Sequence, residues 1–166
     1  WTDPAKEREA AKTLIGQGAD VLTHHTATTA VAQTAEEQGV RFIAYTSDMS
    51  KFAPKAQLLA VTHHWGDYYL QAARQILAGT WQSSNIWGGL KTGMVKVSGW
   101  NADVHPSLIA QVDLVSQQIM AGTLHPFTGP IKDNNGKLQW ERSAMPDPII
   151  EKMDYLVEGV VGGLQK

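Results

Sequence analysis

The sequence predicts an α/β chain built around a parallel sheet. Three observations lead there. Strand-like and helix-like segments alternate from Asp3 to Tyr45, which is the rhythm of parallel strands joined by right-handed crossovers. Glycines punctuate the ends of the helical stretches, at Gly16, Gly18, Gly39 and Gly79. Polar and aromatic residues gather just past the strand ends, where α/β proteins place their ligands.

Asp3-Pro4 opens the first helix. Asp caps free amides and Pro suits the first helical position. Glu7 and Glu9 favour the positive end of the helix dipole. Ala10, Ala11, Leu14 and Ile15 form an apolar stripe at helical spacing. A short strand, Ala19 to Leu22, follows and leads into His24-His25-Thr26. Thr28 or Thr29 caps a second helix through about Gln38, which Gly39 ends. Val40 to Tyr45 is the next strand. It runs into an acidic loop, Ser47-Asp48, closed by Pro54. Another strand then reaches His63-His64-Trp65, and Tyr68 to Leu77 is a third helix.

Residues 81–93 are irregular and rich in Gly and Trp. Met94 to Val97 reads as a strand. Pro106 to Met120 is a helix with Leu108, Ile109, Val112, Val115 and Ile119 on its buried face. Asp133-Asn134-Asn135-Gly136 signals a hairpin between residues 127–131 and 137–140. Asp147-Pro148 starts a last helix carrying Met153, Leu156, Val157 and Val160.

The chain has 166 residues, enough for one compact domain or two small lobes, and 43% of them are hydrophobic. Net charge is −2, from 14 basic and 16 acidic residues. That balance argues against a nucleic-acid surface or a polybasic membrane anchor. No apolar run reaches membrane-spanning length. The absence of Cys excludes disulfides and thiolate metal sites. Trp1 stands where an initiator Met is expected, so the chain reads as cut from something longer.

Three strand ends gather polar groups: His24/His25/Thr26, Thr46/Ser47/Asp48 and His63/His64/Trp65. In a parallel sheet these ends share one rim and can line one cleft. Two readings stand for Asp48: it accepts hydrogen bonds from a ligand, or it caps its own turn. Adjacent histidines on a strand point to opposite faces, so each pair offers one ligand per side at most. With no HExxH or similar spacing, no metal is expected. Trp1, Trp65, Tyr68 and Tyr69 offer faces for a planar ligand, whereas Trp81, Trp87, Trp100 and Trp140 are assigned to core packing. No GxSxG elbow and no phosphate loop is present. Neither catalysis nor a cofactor is therefore expected.

The ordered motifs resemble the basic membrane protein (BMP) family of substrate-binding lipoproteins that serve ABC transporters. The resemblance rests on Trp1-Thr2-Asp3-Pro4 with Lys6-Glu7, on Gly18-Ala19-Asp20-Val21-Leu22 and on His25-Thr26. Ala35-Glu36-Glu37-Gln38-Gly39-Val40, Ser47-Asp48-Met49 and Trp65-Gly66-Asp67-Tyr68-Tyr69 follow. Trp87-Gly88-Gly89-Leu90, Pro126-Phe127-Thr128-Gly129-Pro130-Ile131 and Val157-Glu158-Gly159-Val160 complete the set. Each motif alone is weak. Their order over nearly the whole chain is specific.

The resemblance implies a type I periplasmic-binding fold, two parallel-sheet α/β lobes joined by a hinge, present here as a C-terminal portion. Residues 1–62 would belong to the second lobe. Residues 63–166 would cross to the first lobe and supply the C-terminal segments. An N-terminal half, with signal peptide and lipidated cysteine, would precede them. The expected location is periplasmic or extracytoplasmic, with a lipid anchor on the full-length form. The expected partners are a small-molecule ligand, a transporter permease, and either the N-terminal half or a dimer partner, with no nucleic acid.

Position by position, Trp1 matches the aromatic that stacks on the base. Asp48 lies in the loop that binds the polar edge of ribose or base, and His25 and Thr26 match a family His-Thr pair. Nucleoside binders of the family carry a further acid where this chain has Thr46 or Ser47, and a lysine where it has His63 or His64. Those departures favour a purine base, adenine first, over a nucleoside. The resemblance thus implies ligand-binding roles for Trp1, His25, Thr26, Asp48, His64 and Trp65. The alternatives are a ligand-sensing domain of a regulator or receptor and, more remotely, a nucleoside-hydrolase-like enzyme.

Overall fold

The computed structural model describes residues 2–164, and two compact units divide between Val112 and Asp113. The first unit confirms the α/β rhythm. Helix α1 (Pro4–Gly16) leads to strand β1 (Val21–Thr23), helix α2 (Ala30–Gln38) and strand β2 (Arg41–Thr46). Strand β3 (Gln57–His63), helix α3 (Gly66–Leu77) and strand β4 (Val95–Ser98) follow. The sheet order is β1-β2-β3-β4.

Local chemistry sets the boundaries. The Asp3 carboxylate accepts the Lys6 amide at 3.1 Å and caps α1. The Thr28 hydroxyl oxygen accepts the Ala30 amide at the entry to α2. Gly39 ends α2 with φ +69, a conformation in which a side chain is strained. On β2, Phe42 and Ala44 are buried while Ile43 and Tyr45 are half-buried, the period-two pattern of a strand. Phe42 packs with Leu22, Val31, Met49 and a run of alanines on α1, α2 and the 47–56 loop. Small residues there let helices and loop approach the sheet closely.

β1, β2 and β3 are parallel, as expected, but β4 runs antiparallel to β3. The reason lies in the return path. The Met94 carbonyl accepts the His64 amide at 2.8 Å. The chain thus re-enters the sheet at the same rim by which it left, and β4 can only run back.

The apolar face of α3 is uncovered: Tyr69, Leu70, Ile76 and Leu77 are all exposed, and α3 has no buried residue. Trp81 and Trp87, expected as core, are exposed too, Trp87 at 70%. They sit in the 80–94 stretch, which forms no regular element and buries little. Trp100 and Trp140 are half-buried.

Helix α4 (Pro106–Ala121) spans the division between the units. Its half-buried positions include Ile109, Val112 and Ile119, whereas Leu108 and Val115 are exposed, so the packed stripe is narrower than expected. In the second unit, β5 (Ile131–Lys132) and β6 (Leu138–Trp140) form the expected hairpin. The Asp133 carboxylate accepts the amides of Asn135 and Lys137 and the Gln139 side-chain amide. The Gln139 bond leads in holding its carboxyl below the usual carboxylate range. The last helix is cut short. α5 covers only Asp147–Ile150. The Leu156 carbonyl instead accepts the Asn134 amide, and the Glu158 amide donates to Lys132. Main-chain pairing with the hairpin replaces the expected helix.

Candidate functional site

The carboxyl rim of the parallel strands carries the site. At the end of β1 the strand alternation separates two neighbours. His24 turns inward, 8% exposed, with its ring 5.2 Å from that of Phe42. His25 stays at the rim, its ring 5.0 Å from Tyr45 and tilted by 32°. The Tyr45 ring lies 5.2 Å from His63, edge to face. Three rings from β1, β2 and β3 thus form a ladder across the rim. Aromatic surfaces in such a row offer stacking area to a planar ligand.

The β1–α2 loop is held from below. Glu7, on the buried side of α1, accepts hydrogen bonds from the hydroxyls of both Thr26 and Thr28. It also reaches back to the Asp3 amide. Burial works against the charge on Glu7, but the Thr28, Thr26 and Asp3 bonds outweigh it, with a contribution from His24, and hold its carboxyl below the usual range. His24 is held below its usual value as well. Burial disfavours its charged form, with His25 adding repulsion, against the pull of Glu7 and the Tyr45 main chain. Neither His24 ring nitrogen has a partner of hydrogen-bonding geometry.

Two clefts open here. One, about 460 Å³, lies between α1 and β1 and includes Lys6, Glu7, Leu14, His24, His25 and Thr26 in its lining. The other, about 330 Å³, includes Tyr45, His63, Trp65, Trp87 and Met94. The Tyr45 ring, in contact with His25 and His63, links them.

Thr46 ends β2 with φ +70. A β-branched residue there is strained by on the order of 1–3 kcal/mol, a cost that clusters at functional sites. The turn sends the chain back over the sheet through Ser47 and Asp48. Asp48 Oδ1 accepts the Ser50 amide at 2.8 Å and Gln57 Nε2 at 2.9 Å. The Ser50 main-chain bond leads, against burial and with help from Gln57 and the Ser50 side chain, in holding the Asp48 carboxyl below the usual range. Asp48 Oδ2 crowds Gly99, where an added Cβ would meet it at 2.8 Å and φ is +61. This is the turn-capping arrangement, and neither rim cleft is lined by Asp48.

The residues singled out from sequence therefore separate. His25 and Thr26 line the first cleft and Trp65 the second. His64 lines neither; its Nε2 pairs with the Thr62 hydroxyl at 2.9 Å. Trp65 stacks on Tyr69 with ring centroids 6.2 Å apart and meets Tyr68 edge-on at 6.0 Å. Trp1 lies outside the described residues. Tyr45, Glu7 and Thr28 are additions that only the tertiary structure brings in. Among the described residues, no three His, Asp or Glu side chains gather as a metal site.

Known proteins resemble this chain in sequence and in fold. Residues 1–125 match the family described as ABC transporter substrate-binding protein PnrA-like. The chain is 41% identical over 162 residues to a purine-binding protein of Brucella abortus, covering 96% of this chain and 46% of that protein. It is 26% identical over 162 residues to a putative ABC transporter glucose-binding protein of Haloferax volcanii, covering 98% of this chain and 39% of that one. The chain thus spans less than half the length of these relatives. Among solved structures it resembles a transcriptional activator of the comK gene from Bacillus halodurans, with TM-score 0.66 and 22% identity over 76% of this chain and 45% of that one. It also resembles an ABC transporter solute-binding protein from Conexibacter woesei, with TM-score 0.60 and 24% identity over 75% of this chain and 43% of that one. At such identities the likeness shows the fold, a portion of the solute-binding α/β architecture. The match over most of its length shows that the chain belongs to the PnrA-like family of ABC transporter substrate-binding proteins.

Proposed function

We propose that the full-length protein is the extracytoplasmic solute-binding component of an ABC importer and that it takes a purine base, adenine first, at this rim. The observation that carries the reading is the His25–Tyr45–His63 ladder across three strand ends. It offers a stacking surface flanked by Thr26 and Trp65, and purines are planar and bear polar edges. The similarity to a purine-binding relative supports the same ligand class.

In this reading residues 1–62 belong to one lobe, and residues 63–166 cross to the other, return as β4 beside β3 and supply the C-terminal segments. Trp1, His25, Thr26 and Trp65 contact the ligand. Asp48 and His64 shape the rim, and contact the ligand where the opposing lobe closes on them. Binding favours the closed arrangement and presents it to a permease. The exposed face of α3 packs against the part of the protein beyond this chain, with a dimer partner as the other candidate for that cover. A lipid anchor on the full-length form keeps the protein at the membrane. The role is binding, without catalysis.

Calorimetric titration of the full-length protein with adenine, hypoxanthine, adenosine and glucose tests this. Heat from a purine base supports it. Heat from glucose alone moves the ligand class to sugars, which also stack on aromatic rings and which the haloarchaeal relative is named for.

A further inference from the structure

We propose that Glu7 fixes the Thr26 hydroxyl as a pure acceptor and thereby makes the site select amino-substituted over oxo-substituted heterocycles. This rests on the purine-binding reading above and adds its selectivity rule.

The argument starts from the count of protons. A hydroxyl has one donor and two acceptor positions, whereas an ionised carboxylate only accepts. Glu7 lies in the covered side of α1 and is 7% exposed. Its Oε2 is 2.8 Å from Thr26 Oγ1, and Thr28 Oγ1 bonds the same oxygen. Both threonines must therefore spend their single proton on Glu7. The low carboxyl affinity for protons, set by those bonds against burial, keeps Glu7 ionised at neutral pH. Thr28 satisfies its own remaining capacity by accepting the Ala30 amide at 3.1 Å.

Thr26 is different. It lines the 460 Å³ cleft beside His25, and its bond to Glu7 is the one hydrogen bond of its hydroxyl among the described residues, so its lone pairs remain open to a ligand in that cleft. An exocyclic amine meets those lone pairs with a donor. A carbonyl meets them with another lone pair. Where that group meets Thr26, the rim therefore discriminates between 6-amino and 6-oxo purines. Sites built around a fixed hydrogen-bond direction reject the mismatched analogue more strongly than apolar pockets do. Glu7 acts through Thr26 and is a positioning residue.

The test measures affinities of the full-length protein for adenine and hypoxanthine, in the unchanged protein and in Glu7→Gln, Thr26→Val and Thr26→Ser. Gln keeps the shape of Glu but brings a donor. It can donate to one threonine and release that proton toward the ligand. We expect adenine to be favoured by about tenfold or more. In Glu7→Gln and in Thr26→Val the ratio should shrink by about tenfold, the effect of one hydrogen bond. Thr26→Ser should preserve it. An unchanged ratio in Thr26→Val, or a preference for hypoxanthine in the unchanged protein, overturns the selectivity rule while leaving purine binding intact. Absence of binding by either base overturns the purine reading and this rule with it. Thr26→Val decides the matter even if Glu7→Gln fails to fold.

Discussion

Gln57 and Asp48 meet at 2.9 Å across the loop that separates them in sequence. Gln57 is 1% exposed and spends every polar atom: Oε1 takes the Met49 amide, and Nε2 donates to Asp48 and to the Gly99 carbonyl. One side chain thereby ties the 47–56 loop to β3 and to the segment after β4.

Gln57→Leu removes those ties and leaves the Met49 amide buried without a partner. Loss of such a bond costs about 1–3 kcal/mol. Chemical denaturation should show that loss, with the slope against denaturant unchanged. A variant as stable as the original would mean that the loop holds without Gln57.

Tyr45 is the middle rung of the ring ladder. Tyr45→Leu keeps an apolar body on β2 but removes the stacking face. Aromatic pairs contribute about 0.5–1.5 kcal/mol beyond their area. Purine affinity of the full-length protein should fall by about three- to tenfold, and Tyr45→Phe should restore it. Equal affinity in all three proteins, measured by calorimetry, would remove the ladder from the site.

Acid should weaken the fold in two stages. The folded-state pKa of His24 is depressed by burial, so below its ordinary value of about 6.5 the unfolded chain binds the proton first. Stability is full above that value and falls as pH drops through it. Glu7 is likewise depressed. Its contribution is present above the ordinary Glu value of about 4.3 and is lost as pH falls through the folded value. His24→Phe should abolish the first stage and leave the second in a melting-temperature profile from pH 7 to pH 3. Persistence of the first stage in that variant would assign it to another group.

The uncovered face of α3 should make this segment self-associate when produced alone. Ile76 and Leu77 are 62% and 88% exposed. Replacing both with Glu should restore a monomer in sedimentation while changing segment stability by about 0.5 kcal/mol or less, as exposed substitutions usually do. Unchanged association would place the sticky surface elsewhere.

What the sequence disclosed and what it hid divide along physical lines. Short-range rules disclosed α1, α2 and β2, because Asp3, Gly39 and the Phe42/Ala44 alternation act within a turn or a strand. The direction of β4 was hidden, because it depends on where residues 80–94 return rather than on any pattern within 95–98. The apolar spacing of Met153, Leu156 and Val157 suits a helix, but the hairpin amide of Asn134 competes for that backbone and wins. Asp48 was legible only as two alternatives; Ser50 and Gln57 occupy its Oδ1, while its Oδ2 lies beside Gly99. Glu7 read as a helix-dipole residue, because its partner Thr26 lies 19 positions away.

The antiparallel return of β4 makes everything between His64 and Met94 a detachable loop. β3 and β4 already lie side by side, from Ala60 with Ser98 to His63 with Val95, and the His64 amide on the Met94 carbonyl closes the ladder. Topologically the two strands are a plain hairpin into which α3 and the glycine-tryptophan stretch have been spliced. Cutting out 66–92 and joining the stems with a tight turn would leave the sheet uninterrupted. The excised part can therefore vary in length and content without disturbing the strands that carry the rings.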